Sequence, residues 1–584
     1  MSHYYLDELT KSNDQPSDNA VLEVKELLSE PIKQLEDINA EIKRLEEKRV
    51  ELEKYINRYS RILAPIRRVP PDILCTIFEH CLPTHRNPTM AATEAPMLLT
   101  RICSSWRSIA MSFSSLWAQI HIPFLDEIEG RGRQRGDPVV SLEKIVDVLQ
   151  LRCRAAQEWL SRSNDRPLSI SISWHVQYFD LEMDSGTDQK DKTTIPILNI
   201  LLMFSSRWRT LEFKFPVSVY HELESRLSAH TLPMLAHLRA DIYQSMFEST
   251  ISQVSSPPTM LLRAPNLKRV SIVMPNLTDW LRPADVTQLV PWNNVTHLSI
   301  FPPCTLGDCI TLLKRYPLLV HGNFSIQHNF LLNGDGISIH EKIHLSDLLE
   351  LRTSVANSSF LVPTLYNLID APKLRCIGYY NNLVSYEQGV SAATDEIPVY
   401  FIQRSTNLKK LEMDRFCLLP SNILNIFEAA SQNVLTHLSL TSKYRLVALG
   451  TEQDPFDLET LIIDNILDTA PSQLLPHLEV FELHLTKVSD HIVVRFVTSR
   501  MNTMSHIAVL RKVRIIFARV KEEGGLDIVD EIRSRAEMAG IQMDISVQYA
   551  PTSLQVEKSR NFLSPSFIEP YKNDRTWSYE EPEE

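Results

Sequence analysis

Glycine is scarce in this chain, with 14 residues in 584 against a usual share of about 7%. Glycine supplies the positive φ angles on which phosphate-cradling loops depend, so its shortage argues against a nucleotide-handling enzyme. The close pairs Gly130/Gly132 and Gly334/Gly336 continue into neither GxGxxG nor GxxxxGK(S/T). Cation is also in short supply: 60 Lys and Arg against 72 Asp and Glu leave a net charge of -12, which repels phosphate and argues against nucleic-acid or acidic-membrane partners. The arginines Arg131, Arg133 and Arg135 make too small a phosphate footprint to reverse that reading and fit a solvated connector. No apolar run approaches the ~18 residues of a membrane span, and residues 1–14 are polar, so a soluble chain of the cytoplasm and/or nucleus is expected.

Chemistry-bearing motifs are missing as well. The eight cysteines contain no CxxC pair, and Cys304 and Cys309 lack a second pair to complete a zinc site, so reduced and mostly buried thiols are expected. GxSxG, HExxH and a papain-like cysteine context are absent, which leaves only a dispersed triad as a catalytic option. His237, His297, His321 and His437 recur at matching positions, yet whole strand spacings of ~4.8 Å separate them and no carboxylate or cysteine recurs with them. The reading is therefore no enzyme, no cofactor and no metal.

What is present is pattern. At 584 residues the chain exceeds what one core can hold, so several folded units or an array of repeats are expected. From residue 32 to 63 a heptad runs with Leu35, Ile42, Ile56 and Leu63 at a and Ile38, Leu45, Leu52 and Tyr59 at d; Arg49 alone breaks the seam, and Pro31 and Pro65 bracket it. Residues 26–64 are assigned to a coiled-coil helix, after a weakly ordered stretch over 1–25. Self-association is open to it, because a parallel pair would oppose Glu41 with Glu46 but Lys48 with Glu53. An amphipathic helix folded back on its own chain explains the same pattern.

A small helical module follows over 66–122. Pro70 and Pro71 open a helix with Asp72 in its first turn, and Ile73, Leu74, Ile77, Phe78, Cys81 and Leu82 form its apolar stripe before Pro83 ends it. After a polar loop over 84–96, Leu98, Leu99, Ile102, Cys103, Trp106, Ile109 and Ala110 predict a second helix. Leu116 and Trp117 then lead into a short strand over 118–122.

The ordered set Val69-Pro70-Pro71-Asp72-Ile73-Leu74, Ile77-Phe78, Leu98-Leu99-x-x-Ile102-Cys103-x-x-Trp106-Arg107-x-x-Ala110 and Leu116-Trp117 resembles the F-box, in the form common in large fungal families of F-box proteins. Arg67 and Arg68 just ahead of it fit the family's habit, while Val69 stands where the family usually has leucine. The resemblance implies docking onto a Skp-type adaptor and, through it, a cullin-RING ubiquitin ligase. The implied contact residues are Val69, Pro70, Pro71, Ile73, Leu74, Ile77, Phe78 and Leu82, with Trp106 and Trp117 holding the module. A helical domain with no docking role needs core aromatics for the same physical reason.

Beyond a connector with a helix over 123–165, a unit of the form L-x-x-L-x-L recurs. Copies start at Trp208, Leu267, Val295, Leu374, Leu408, Leu435, Leu458 and Leu478, with weaker ones at Leu235, Leu319 and Leu348. The mean period of about 27 residues lies in the leucine-rich-repeat range, and helical patterns over 308–316 and 421–430 sit between copies. Residues 166–548 are therefore expected to form an irregular α/β solenoid, in which each strand turns two apolar residues inward and each helix covers the outside. The usual asparagine after the strand is missing. A conventional α/β domain with a parallel sheet is the competing architecture. In a solenoid the residue between the last two apolar positions faces the concave sheet surface, which makes Glu212, Arg239, Ser271, Ser299, Arg352, Glu412, Ser439, Ile462 and Glu482 candidates for target binding. Residues 549–584, ending Glu-Glu-Pro-Glu-Glu, are expected to be a disordered acidic tail.

The sequence thus predicts a multidomain chain: a coiled-coil helix, an F-box-like helical module and an irregular leucine-rich-repeat solenoid. Its expected function is a substrate-receptor adaptor, with an unknown target protein as second partner. The alternative is a repeat scaffold whose F-box-like helices only cap the array.

Overall fold

The structure, a computed structural model, describes residues 10–11, 13, 15–60, 62–123, 142–173, 187–227, 232–243, 260–273, 294–327, 342–356, 361–381, 399–414, 420–441, 474–486, 488–501, 507–517, 519–521 and 527–549. Gly130 to Gly136, Cys417, Ile462 and all of the expected acidic tail but Tyr549 lie outside them. The chain divides into two compact units, Met1–Ile77 and Phe78–Glu584. Among the described residues no helix is long and apolar enough to cross a membrane.

The first unit is dominated by one helix, α1 (Asp18–Ser60), 43 residues and thus about 64 Å long. It starts well before residue 26, where helix was expected, and Pro31 lies inside it instead of bracketing it. Two features account for the earlier start. The Ser17 hydroxyl accepts the Ala20 N–H at 3.3 Å, an N-cap that satisfies one orphan donor. Val21, Val24 and Leu28 also carry the heptad back through the proline, which costs the helix a single N–H. A short 3-10 turn, Pro65–Arg68, then leads to α2 (Pro71–His80). The boundary between the units cuts α2, so the module expected over 66–122 is shared between them.

In the second unit the expected continuous helix from Leu98 to Ala110 is broken. Leu99–Arg101 form a 3-10 turn, Cys103 is extended at φ -157° and ψ 170°, and α3 (Ser104–Ser112) starts afresh with the Cys103 sulfur accepting the Trp106 N–H at 3.4 Å. A small side chain able to accept at the N-cap competes with helix continuation. Cys81 and Cys103 are exposed, against the expectation of buried thiols, whereas Cys153, Cys304, Cys309 and Cys376 are buried.

Among the described residues the strands of this unit form one 14-stranded sheet, all parallel, paired in chain order, with helices between them. They are β1 (Gln119–Pro123), β2 (Leu168–Ser173), β3 (Trp208–Pro216), β4 (His237–Tyr243) and β5 (Arg269–Val273). Next come β6 (His297–Cys304), β7 (His321–Gln327), β9 (Glu350–Ala356), β11 (Cys376–Asn381) and β12 (Lys410–Asp414). β13 (His437–Thr441), β14 (Val480–Thr486), β15 (Lys512–Phe517) and β16 (Asp544–Gln548) complete it. Two short strands, β8 (Ile343–His344) and β10 (Ile369–Asp370), form a separate parallel pair. The sheet starts at Gln119, not at 166: β1 pairs with β2 in register from Gln119↔Ser169 to Pro123↔Ser173.

The inward positions of the L-x-x-L-x-L copies line up as two rows, apolar except for Gly322 in one and Thr353 in the other. One runs Leu211, Leu238, Val270, Leu298 across β3 to β6 and resumes Leu351, Ile377, Leu411, Leu438, Phe481 from β9 to β14. All of these side chains are buried, as are the leading residues Trp208, Leu235, Leu267, Leu319, Leu374 and Leu478. Helices cover this face. Tyr220 on the helix Val217–Arg226 lies against Phe213, Tyr366 on Leu361–Leu368 hydrogen-bonds Thr353 at 2.7 Å, and Phe496 on Asp490–Ser499 lies 5.0 Å from Phe481. The helical patterns at 308–316 and 421–430 are helices Leu306–Arg315, closed by a Thr305/Asp308 capping box, and Pro420–Ser431. The copy starting at Leu458 falls outside the described residues, and β13 pairs directly with β14, so the interval from Leu435 to Leu478 contributes a single step of the sheet.

Each unit is tied to the one before it. Backbone N–H groups ahead of the strands step along the array: Lys268 to Ala236 O at 2.8 Å, Thr296 to Lys268 O at 2.9 Å, Val320 to Thr296 O at 2.8 Å. Asparagine does serve the array, but ahead of the strand: Asn266 Nδ2 donates to Pro233 O at 2.6 Å and Asn407 Nδ2 to Pro372 O at 2.9 Å. Arginines at helix ends likewise donate to backbone carbonyls of the preceding segment. Arg404 reaches Tyr366 O and Ile369 O, and the buried Arg500 reaches Leu475 O at 3.1 Å.

Candidate functional site

Two surfaces gather the residues singled out in the sequence. The first is α2. A ten-residue helix with apolar residues at i, i+1, i+4 and i+5 carries two stripes, and the structure treats them differently. Leu74 and Phe78 are enclosed, at 4% and 0% exposure, while Ile73 and Ile77 stand out at 49% and 38%. Pro70 and Pro71 are exposed too, with Val69 and Leu82 half-buried. Of the residues expected to meet an adaptor, Leu74 and Phe78 therefore offer it no surface: they are core, and Ile73 and Ile77 are the outward pair.

Phe78 is held by Trp106, whose ring lies 4.9 Å away at 57°, and Arg107 ties the same helix down through Nε to Thr100 O at 2.7 Å. Trp106 is half-buried. Trp117 is wholly enclosed and has no outward face. Its indole N–H donates to Ala110 O at 2.8 Å, its ring meets Trp159 edge-on at 4.9 Å, and the Arg162 guanidinium lies 5.0 Å above it. Trp159 in turn donates to Gln119 O in β1 at 3.1 Å. The loop over 84–96 also reaches the sheet. Asn87 bridges Ser169 and Ser171 of β2, and His121 N donates to Pro88 O at 2.8 Å, so Thr89 lies parallel along the outer edge of β1.

The second surface is the sheet's polar face. Glu212, Arg239, Ser271, Ser299, Arg352, Glu412, Ser439 and Glu482 all fall on one transverse row of the register, as their place in the pattern predicts. The same row holds six more residues: His121, Ser171, Asn323, Gly378, Arg514 and Ser546. Arg514 was within reach of the sequence, since Leu510, Val513 and Ile515 repeat the spacing. Asn323 was masked by Gly322, which stands where the apolar residue belongs. Two residues earlier, on the same face, lies a parallel row with His237, Arg269, His297, His321, Glu350, Cys376, Lys410 and His437.

These rows are not idle charge. Arg352 sits between Glu350 and Glu412, with Nε 2.9 Å from Glu412 Oε2; Lys410 Nζ reaches Glu412 Oε1 at 2.7 Å and Tyr380 donates its hydroxyl to the same carboxylate. Gly378 stands between Arg352 and Glu412 in the row and makes this span feasible. A Cβ there would lie 2.6 Å from Arg352 Cγ, so the arginine crosses a position that only glycine leaves open. Burial alone would raise Glu412, but Arg352 and Lys410 outweigh it and hold its carboxyl well below the usual range. Glu350 is likewise lowered against its burial, by His321 and Arg352. Gly378→Val is expected to destabilise the sheet by about 1–3 kcal/mol through overpacking, read as a downward shift of the thermal midpoint; an unchanged midpoint contradicts the crossing.

A narrow depression beside this cluster is lined by His297, Ser299, His321, Asn323, Glu350 and Arg352. His297 and His321 stack at 4.2 Å, and His321 Nδ1 lies 2.8 Å from Glu350 Oε2. Burial, then His321 and Arg269, pushes His297 down to about 3, so at neutral pH it is an uncharged hydrogen-bonding group beside Thr296 Oγ1. Elsewhere the row is paired within itself, with Ser439 donating to Glu482 at 3.0 Å. Ser271 and Ser299, between Arg239 and Asn323, are short and neutral. The charged groups of the cluster, Glu350, Arg352, Glu412 and Lys410, neutralise one another. Among the described residues no group of three or more His, Cys, Asp or Glu could hold a metal ion. No protein-family model matches the chain, and no curated protein matches its sequence.

Proposed function

We propose that this chain is an F-box-type substrate receptor. In this reading α2 docks onto a Skp-type adaptor of a cullin-RING ubiquitin ligase, and the sheet domain is a leucine-rich-repeat solenoid whose polar face captures a target protein. The observation that supports it most is the outward pair Ile73 and Ile77, next to the exposed Pro70 and Pro71 in a segment whose residue order resembles the F-box. Isoleucines half exposed on a short, proline-fronted helix gain from being covered by another polypeptide. No residue of this chain then needs to do chemistry, since tethering alone raises the target's concentration near the transferring enzyme.

A second reading has its own support. Trp117, Trp159, Asn87 and Thr89 join the back of the module to β1, as a cap on the first strand of an array would. Capping alone, however, gives no reason for Ile73 and Ile77 to face outward. The two readings separate by co-purification of the full chain with a Skp-type adaptor. Ile73→Asp should leave the fold intact and weaken the complex by roughly 30-fold or more. Leu74→Asp is the wrong probe, because a buried leucine reports folding. A parent chain that does not co-elute, or an Ile73→Asp variant that binds as the parent does, rejects docking and leaves the cap.

A further inference from the structure

On α1 the side chains of Leu35, Ile38, Ile42, Leu45, Leu52 and Ile56 are 50% to 58% exposed. A seam of that length lying open in water calls for a covering partner. We infer that the partner is a second copy of this chain, and that the two helices run antiparallel, centred between Ile42 and Leu45.

The argument rests on charge along the seam and its flanks. In a parallel, in-register pair every a residue meets its own copy, so Arg49 would face Arg49 inside the apolar seam, and Glu41 at g would face Glu46 of the other helix at e. Only Lys48 with Glu53 would attract. In the antiparallel order each a residue meets a d residue and g flanks g. Ile42 then packs on Leu45 of the other copy, and Leu35 on Leu52. Arg49 falls on Ile38, with Glu41 of that copy one turn further along. Glu41 and Lys48 face each other twice and nearly level, against two more distant like-charge approaches across the dyad, of Glu41 and of Glu46 to their own copies. The local pairs that Glu41 and Arg49 make within one helix, with Arg44 at 2.7 Å and Glu53 at 3.7 Å, are exposed and therefore weak competitors. The overlap runs from Leu28 to Tyr59, about 48 Å of helix and more than the three to four heptads a stable pair needs. Nothing here depends on the adaptor reading, so either can fail alone.

Sedimentation equilibrium of the full chain tests both parts. The parent should dimerise at about 10 μM, and Glu41→Lys should raise the dimer dissociation constant on the order of tenfold, because it sets a like charge against Lys48 twice. Adding Lys48→Glu to that variant should restore the parent value to within about threefold. A parallel dimer gives the opposite sign, because the introduced cation would meet Glu46 and tighten it. A chain that stays monomeric up to about 100 μM, or a Glu41→Lys variant that binds more tightly, overturns the inference.

Discussion

Trp117→Ala should remove about 3–5 kcal/mol from the stability of the sheet-bearing unit, a large share of the roughly 5–15 kcal/mol that a domain typically has. Three losses add at this residue. The indole is fully buried, so truncation leaves a cavity. Its N–H is the described donor to Ala110 O, and that carbonyl would be left without it. Its edge supports Trp159, whose own N–H holds Gln119 in β1. Trp117→Phe keeps most of the volume but not the donor and should cost less than half as much. The midpoint of the first unfolding transition in urea measures both; a Trp117→Ala shift below about 1 kcal/mol would show that the ring is dispensable.

Arg352→Ala should be comparably severe at neutral pH, about 3–5 kcal/mol, because it strips the central cation from two carboxylates that are 12% and 18% exposed. The pH dependence carries the diagnosis. In the parent, Glu350 and Glu412 sit below their ordinary value of 4.5, so the unfolded chain binds more protons. Their contribution is complete above that value and is lost as pH falls through the folded range. Without Arg352, burial acts on both carboxyls with less opposition and they bind protons more readily in the folded state. The variant should therefore recover part of its deficit between pH 7 and pH 5, where the parent changes little. Urea melts at the two pH values check the sign, and a constant gap would mean that Arg352 acts through packing alone.

The spacing of L-x-x-L-x-L was enough to place eight polar residues on one transverse row, because a two-residue period leaves a strand residue no freedom of face. It could not tell that Gly378 is a gap over which Arg352 lies, since that needs knowledge of which strand follows which. Nor could it separate Ile73 from Leu74: adjacent positions on a short helix differ in burial only through what packs against them. Pro31 misled for a related reason. Proline weakens a helix locally, but continued heptad spacing on both sides and a Ser17 cap carry the helix through. At Cys103 the balance tips the other way, and a run of apolar residues that reads as continuous helix breaks at a residue able to cap.

Strands that pair in the order in which they are made have one more implication. Apart from the short β8 and β10 pair, each described strand leans on its immediate predecessor and successor, so among the described residues no distant strand has to return and close the sheet. A whole strand-and-helix segment could be gained or lost and the remainder would still find its register, which lets such a chain change the length of its polar sheet face without inventing a new fold.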